Sequence, residues 1–345
     1  MTQTATRSNP PSVSQKGGDP SMFWKAETYN EPYWDGYLAA RPKYSADFYA
    51  RIIEYYRNHN PTPPSNSTAH DVGTGPGQVA AELTKYFDAI IASDPNATHL
   101  AVAATRNEAS CANEKIAWTK VAAEELKDHY PAGSASFLAA AECLPLLDVP
   151  RALDTFAYLL SPGGTLAAWF YGRPCFSEPE FETKCQPILN DIIDLTFAVV
   201  IKGGPAAHKD TWKRSTDTVT SFLDNVAFPA TTWRDVYRHK WNPHLPLSVI
   251  GQNACNYPIE PGSVIDETRE EVVEEVDSHF WAESWDISEV RRFVECLLPN
   301  IEELKGKGLL DHVEEKYAAL EQEMGGAGAK REITWPVCLI LATRM

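Results

Sequence analysis

The sequence is poor in positive charge and has no cysteine pattern typical of metal sites or disulfides. Lys and Arg total 31 against 47 Asp and Glu, which gives a net charge of −16. This balance disfavours nucleic acid or an anionic membrane surface as a partner, although a local Arg or Lys can still hold a small anion. The seven cysteines include no C-x-x-C pair, so we expect neither disulfides nor a zinc site, and no other metal site. This usage fits a reducing cytoplasmic environment.

Long apolar runs are also missing. None approaches the roughly 18 residues that a membrane-spanning helix requires. Residues 1–21 are polar and contain Ser, Pro, Gln and Gly without an apolar core, so we predict a disordered tail and not a signal peptide. The 345 residues and the hydrophobic content of 43% predict one large globular domain, or a domain with a cap.

Residues 70–78, HDVGTGPGQ, are typical of a strand end, a glycine turn and a helix start. Gly73, Gly75 and Gly77 allow the backbone to approach a ligand where a Cβ would collide. The N–H groups of the following helix would face that ligand. No Lys follows the glycines, which excludes a P-loop, and the G-x-G-x-G spacing disfavours a nicotinamide-binding enzyme, which needs G-x-G-x-x-G.

A second strand-like run, residues 89–93, ends in Asp94 about twenty residues after the turn. A carboxylate at the tip of the second strand can accept hydrogen bonds from both hydroxyls of a ribose. The two features together predict an adenosine ligand with no phosphate to neutralise.

Strand-like and helix-like segments alternate five times up to residue 172, which predicts an α/β fold with a doubly wound, mostly parallel sheet. We assign 22–172 to this domain, including an aromatic-rich N-terminal lid. For residues 173–330 the sequence predicts a helical substrate cap. Within this range we also predict a sixth strand near 233–241 and an acidic helix over 267–277. Residues 331–345 predict the last strand of the sheet.

These motifs resemble the class I S-adenosylmethionine (SAM)-dependent methyltransferases. The stretch 37–44, Ala141-Glu142-Cys143 and Trp335 are similar to a fungal branch related to trans-aconitate methyltransferase. The resemblance implies a seven-stranded Rossmann-like sheet, SAM as the cofactor and a small-molecule partner, and it leaves monomer and homodimer open. The residues that carry the glycine and strand motifs are Asp71, Gly73, Thr74, Gly75, Gly77, Asp94 and the run Leu160–Leu166.

The resemblance also implies roles for residues outside the glycine turn. Tyr37 and Arg41 would lie over SAM, with Arg41 paired to the methionine carboxylate. Ala123 and Glu124 match the positions that contact adenine. Glu142 would hold the cofactor ammonium or act on the acceptor. Trans-aconitate-like relatives have His-Trp where this chain has Pro145-Leu146, so the resemblance does not supply the substrate.

Methyl transfer from SAM needs an oriented acceptor, and it needs a general base only when the acceptor is a protonated hydroxyl. Glu142 is the first candidate base and His279, among the aromatics of the cap, is the second. Each also has a purely structural interpretation, Glu142 as a hydrogen-bonded carboxylate and His279 as a packed imidazole. We expect methyl transfer to oxygen, a carboxylate or hydroxyl of a metabolite such as a fungal secondary metabolite. The alternative is a binding scaffold or non-methylating cyclase that keeps SAM without turnover.

Overall fold

The computed structural model describes residues 31–60, 67–108, 114–204, 208–298 and 300–345. The predicted disordered tail, residues 1–21, and the first part of the predicted lid, residues 22–30, lie outside the described residues. Within the described ranges, no helix is both long enough and apolar enough to cross a bilayer.

Eleven strands occur in the described residues, and they form two sheets. The strands are β1 (Thr68–Val72), β2 (Ala89–Ser93), β3 (Ile116–Thr119), β4 (Ala135–Ala141), β5 (Leu160–Tyr171), β6 (Cys175–Phe176), β7 (Trp233–Trp241), β8 (Glu270–Glu275), β9 (Glu283–Trp285), β10 (Arg331–Thr334) and β11 (Val337–Arg344). The central sheet has the order β3-β2-β1-β4-β5-β11-β7-β8, and β6, β10 and β9 form a small second sheet.

Ten α-helices accompany the strands in the described residues. They are α1 (Glu31–Ala40), α2 (Ala46–His59), α3 (Gln78–Leu83), α4 (Ala97–Asn107), α5 (Val149–Leu159), α6 (Pro179–Gly203), α7 (Lys209–Thr220), α8 (Ile287–Glu295), α9 (Ile301–Gly306) and α10 (Asp311–Glu323). α2 begins directly after Ser45, whose hydroxyl accepts the Phe48 N–H at 3.2 Å and so caps the helix.

The central sheet confirms the predicted doubly wound, mostly parallel α/β fold. β1 to β5 pair in parallel, and among the described strands of this sheet only β11 runs antiparallel to its neighbours, β5 and β7. The bounds of β7, Trp233–Trp241, match the predicted sixth strand. The chain order reverses at β1 and β4, the position where ligands bind in open α/β sheets.

The sheet has an eighth strand, β8, where the sequence predicts an acidic helix over 267–277. β8 pairs in parallel with β7, and opposite charges meet across the pair. Glu270 Oε2 accepts the Nε–H of the fully buried Arg238 at 2.7 Å, and Glu275 Oε2 lies 3.0 Å from His239 Nε2. Such cross-strand pairs stabilise a strand, and a partner thirty residues away is invisible to a local helix pattern. The helix prediction was therefore wrong.

Each face of the sheet buries its own apolar layer. Along β5, Ala167 and Trp169 belong to the layer beneath α2, whereas Leu166 and Ala168 belong to the layer beneath α5. This alternation follows the two-residue period of a strand. Trp169 packs edge-on against Phe48 of α2 at 5.7 Å between ring centroids.

The predicted cap, residues 173–330, contains α6 to α10, but it also supplies β7 and β8 to the central sheet. The predicted last strand over 331–345 is divided: β10 joins the small sheet, and β11 joins the central one. Within the cap, α7 packs against the short turn Leu144–Leu146 that follows β4. This contact brings the cap to the carboxyl ends of the parallel strands.

Candidate cofactor and active site

The glycine turn adopts backbone conformations that favour glycine. Gly73, Gly75 and Gly77 have φ values of 65°, 51° and 83°. A Cβ on Gly73 would lie 2.9 Å from the Cβ of Cys143, and one on Gly77 would lie 2.8 Å from the ring of Trp118. A Cβ on Gly75 would meet no described atom closer than 3.5 Å. The outer glycines therefore permit close packing, and the middle glycine borders open space, with the Trp34 ring at ordinary contact distance.

That space is part of a cavity of about 200 Å³ at the carboxyl ends of β1, β2 and β4. The cavity brings together residues of the glycine turn, the lid helix α1, the end of β4 and the cap helix α7. Predicted site residues that line it are Tyr37, Asp71, Gly73, Thr74, Gly75, Asp94 and Glu142. Predicted site residues that do not line it are Arg41, Gly77, Ala123, Glu124 and His279.

Asp94 is held rigidly at the edge of the cavity. Its Oδ1 accepts the Asn96 N–H at 2.8 Å and lies 3.1 Å from His99 Nδ1, while its Oδ2 accepts the Gly75 N–H at 3.2 Å. The residue is 6% exposed. An ionised carboxylate has about four acceptor positions, so the protein itself uses three of them. The carboxylate is thus oriented before any ligand arrives.

Asp71 stabilises the glycine turn through hydrogen bonds within it. Its Oδ2 accepts the Thr74 hydroxyl at 2.5 Å, and the Thr74 N–H donates to the Ser93 carbonyl at 3.0 Å, which ties the turn to the end of β2. Burial raises the pKa of Asp71 to about 7, against the opposing effect of the hydrogen bonds from Thr74 and the Ala80 N–H. Asp71 shapes the turn, and its carboxylate is already engaged.

Glu142 follows β4 in a left-handed conformation, with φ 57°, which is uncommon for a residue with a side chain. Its Oε1 accepts the Tyr171 N–H at 2.8 Å, and its other oxygen has no hydrogen-bond partner among the described residues. Burial raises the pKa of Glu142 well above its ordinary value, although the Tyr171 bond and the nearby Arg41 act in the opposite direction. A carboxylate with a raised pKa is a stronger base than an ordinary one, and this one keeps an oxygen free to accept a proton.

Arg41 lies behind the cavity wall. Its guanidinium stacks between the rings of Tyr37 and Phe293, 4.6 and 4.8 Å from their centroids. It donates weakly to the Cys296 carbonyl at 3.5 Å, and its buried Nε–H has no acceptor among the described residues. A buried charged donor without a partner is costly, so the geometry suits an anionic group on this side of Tyr37.

The predicted adenine contacts lie elsewhere. Ala123 and Glu124 are buried in the short helix Ala123–Asp128 and do not line the cavity. The Glu124 Oε1 accepts the Asp148 N–H at 2.8 Å, at the N-terminus of α5. In the described structure Glu124 is therefore a buried carboxylate that caps a neighbouring helix.

His279 is exposed in the turn after β8, and its backbone N–H donates to Asp277 Oδ1. The structure does not bring it to the cavity, so we do not retain it as a catalytic base. The aromatic that suggested the role, Trp281, points inward from the same turn and packs on Tyr44 at 5.4 Å. In this one turn His279 is exposed and Trp281 is half-buried, a difference that composition alone does not reveal.

Sequence reasoning missed several residues of the cavity wall. Trp34 of α1 lies across His99 at 4.9 Å, edge to face, and both line the cavity. The aromatic density of the lid was a signal for Trp34, but no motif marks His99 or the α7 residues Thr211, Trp212 and Ser215. Within the described part of the chain, no group of three His, Cys, Asp or Glu residues is arranged to hold a metal ion.

Comparisons with known proteins agree with this geometry. A family profile described as a methyltransferase domain matches residues 70–168. The chain is 74% identical over 345 residues to methyltransferase pgmE of Aspergillus terreus, covering 100% of both chains, and 38% identical over 328 residues to methyltransferase cfoB of Aspergillus candidus, covering 92% and 96%.

A solved structure of a candidate type II methyltransferase from Anaeromyxobacter dehalogenans matches with a TM-score of 0.52 at 16% identity, covering 88% of this chain and 97% of that one. This likeness concerns the fold alone. Taken with the sequence relatives and the glycine turn, it leads to one conclusion: the chain belongs to the methyltransferase family and has the class I methyltransferase fold.

Proposed function

We propose that the protein transfers a methyl group from SAM to a hydroxyl oxygen of a small molecule. One observation carries the proposal: the glycine turn, the Asp94 carboxylate and the Glu142 carboxylate line a single cavity at the carboxyl ends of neighbouring strands. Membership of the methyltransferase family supports SAM as the donor.

The residues suit SAM in their hydrogen-bonding groups and in charge. Gly75 lines the cavity without a side chain, which lets the cofactor approach the backbone, and Asp94 has acceptor capacity left for a ribose hydroxyl. A second hydroxyl would take the place of one of the three protein donors on Asp94. The predicted pairing of Arg41 with the methionine carboxylate requires Tyr37 to move, because Tyr37 lines the cavity and Arg41 lies behind its ring. The acidic lining favours a cationic sulfonium over an anionic cofactor.

SAM, when bound, supplies a methyl group already activated by its positive sulfur. The protein then has to position the acceptor, exclude water and receive a proton. α1 and α7 cover the cavity from two sides, and orientation of this kind contributes about 7–11 kcal/mol to lowering a barrier. The unpartnered oxygen of Glu142 would accept the hydroxyl proton, a role that typically contributes a factor of about 10² to 10⁴ in rate.

A hydroxyl acceptor agrees better with Glu142 than a carboxylate does, because an acid is already deprotonated at neutral pH and needs no base. The resemblance to trans-aconitate methyltransferase therefore does not extend to our choice of acceptor. Pro145 and Leu146, where those relatives have His-Trp, offer no group that binds an acid. We retain a secondary metabolite as the substrate class. A reducing cytoplasm as the compartment is supported by the six described cysteines, which are all free.

Isothermal titration with SAM and with its demethylated product tests the proposal. Both should bind the wild-type protein, and Gly75→Leu should abolish binding because its side chain enters the cavity. Gly326→Leu is a matched control, since Gly326 also has a positive φ, 93°, but has nothing within 4 Å of its Cβ position. Absence of wild-type binding at millimolar concentration would refute the proposal.

Mass spectrometry of candidate acceptors separates an active enzyme from a scaffold or non-methylating cyclase, because only the enzyme adds the mass of a methyl group. The 74% identity to a methyltransferase does not favour those alternatives. If the protein binds SAM but methylates none of a set of neutral hydroxylated acceptors, the scaffold or the non-methylating cyclase would be favoured instead.

A further inference from the structure

We infer that the cap helix α7 selects the methyl acceptor, and that the acceptor is a neutral, ring-containing molecule with hydrogen-bonding substituents. The inference rests on the proposed function and deepens it. Its basis is the wall that Thr211, Trp212 and Ser215 contribute to the cavity, opposite the strands that carry the cofactor residues.

Two hydroxyls of α7 are presented to the cavity without partners. Thr211 and Ser215 are four residues apart, so they lie on one face of the helix. Ser215 is 7% exposed, and neither hydroxyl is hydrogen-bonded by another residue of the described chain. By contrast, Thr216, on the adjacent face, donates to the Trp212 carbonyl at 2.7 Å. Neither hydroxyl is used by the protein within the described residues, so both remain available to a polar ligand that enters the cavity beside α7.

α7 lies next to the reacting end of the site. It packs on the turn Leu144–Leu146, which follows Glu142 by two residues, and Leu146 itself lines the cavity. A molecule held by Thr211 and Ser215 is therefore on the side of the proposed base. The aromatic rings of Trp34, Tyr37, Tyr44 and Trp212 give the cavity flat apolar walls that suit a ring.

The charges of the lining argue against an anionic acceptor. Asp71, Asp94 and Glu142 line the cavity, while none of the described residues that line it is a Lys or Arg. His99 is the only imidazole of this lining, and it lies on the Asp94 carboxylate. An acceptor carboxylate would enter beside three acids with no dedicated counter-charge, so a neutral molecule is favoured.

The size of the cavity adds a further constraint. Sites for drug-sized ligands usually measure about 300–1,000 Å³, whereas this cavity measures about 200 Å³. Cofactor and acceptor together therefore need more space than the described cavity encloses. α7 forms one wall of that cavity, so its side chains contact a molecule that fills this side of it.

Binding to the cofactor complex tests the inference directly. The protein is saturated with sinefungin, a SAM analogue that carries an ammonium in place of the sulfonium, and is titrated at about pH 6 with 2,4-dihydroxybenzaldehyde and with 2,4-dihydroxybenzoate. The two probes share ring and hydroxyls, and at that pH the aldehyde is neutral and the benzoate is ionised. The aldehyde should bind about tenfold or more tightly than the benzoate, because the acids of the lining repel the benzoate and the single ammonium of sinefungin does not offset them.

Thr211→Val and Ser215→Ala should each weaken aldehyde binding roughly 2- to 12-fold, the loss expected for one neutral hydrogen bond, and leave sinefungin binding unchanged. Thr220→Val is the matched control: Thr220 lies at the end of α7, does not line the cavity and has an unpartnered hydroxyl. It should alter neither affinity.

The outcomes separate the two levels of the argument. Failure of sinefungin to bind overturns the proposed function together with this inference. Intact sinefungin binding overturns the inference alone if neither probe binds, if the benzoate binds as tightly as the aldehyde, or if the two α7 variants behave like Thr220→Val.

Discussion

His70 offers a test of how the strand that carries the glycine turn is stabilised. It lies on β1 directly before Asp71, is 0% exposed, and neither ring nitrogen has a hydrogen-bond partner among the described residues. Its ring packs edge-on against Tyr130 at 5.1 Å. Burial lowers the pKa of His70 from 6.5 to about 4, so the imidazole is neutral in the folded protein at pH 7.

The sign of the pH effect follows from that direction. Between pH 6.5 and 4 the unfolded chain binds a proton that the folded protein does not, so stability falls as the pH falls. The full difference, about 2.5 pH units at about 1.36 kcal/mol each, is roughly 3.4 kcal/mol. At pH 5 the loss already amounts to about 2 kcal/mol. Above pH 6.5 the contribution is constant.

Urea unfolding of wild type and His70→Leu at pH 7.5 and pH 5 measures this term. Leu has a similar volume and no buried polar atom, so at pH 7.5 the variant should be as stable as wild type or more stable. On acidification, wild type should lose about 2 kcal/mol more than the variant. Because both proteins share all other titratable groups, the comparison removes the contributions of those groups to the pH dependence. Asp71 is one of them, and its raised pKa increases stability as the pH falls. An identical pH dependence in both proteins would refute the reasoning.

Three further changes probe the site. Asp94→Asn should weaken SAM binding, measured by titration, roughly 10- to 100-fold. Both Asp94 oxygens accept N–H groups, so the NH₂ of the Asn side chain would face one of these donors. An unchanged affinity would contradict the assignment of Asp94 to the ribose. Glu142→Gln keeps an acceptor for the Tyr171 N–H. The variant should lower kcat about 10²- to 10⁴-fold and abolish the rise of kcat/KM with pH that a general base produces. Full activity would exclude Glu142 as the base. Gly77→Ala, with its Cβ 2.8 Å from the Trp118 ring, should cost about 1–3 kcal/mol in urea unfolding relative to Gly326→Ala, and equal stabilities would show that the turn relaxes freely.

The parts of the site that local sequence predicts are those fixed by local physics. Glycines at alternating positions were interpretable because no other residue tolerates their positive φ values cheaply. Asp94 was identifiable because it ends a strand about twenty residues after the turn. The predicted alternation of strands and helices up to residue 172 likewise depends on residues local to each segment. In each case the cause and the consequence lie within one element and its turn.

The parts that could not be predicted depend on contacts between distant segments. Thr211 and Ser215 meet the cavity only because α7 packs on the turn after β4, and nothing in the sequence of α7 marks that contact. β8 exists because its acids find basic partners on β7. Glu124 matched a cofactor position through the family resemblance, but its carboxylate accepts the N–H of Asp148. The resemblance identifies a candidate, whereas the hydrogen bonds decide which contacts that candidate can still make.

The same criterion separates the three acids of the cavity. Asp71 is engaged by Thr74 and by the Ala80 N–H, and Asp94 by three protein donors. Glu142 accepts a single backbone bond and keeps an oxygen without a partner. Burial raises the pKa of both Asp71 and Glu142, but Glu142 keeps an oxygen to which an acceptor hydroxyl could donate its proton, whereas Asp71 is used to orient the turn. The division of roles among these acids therefore follows from how many donors each already holds, and not from their order along the chain.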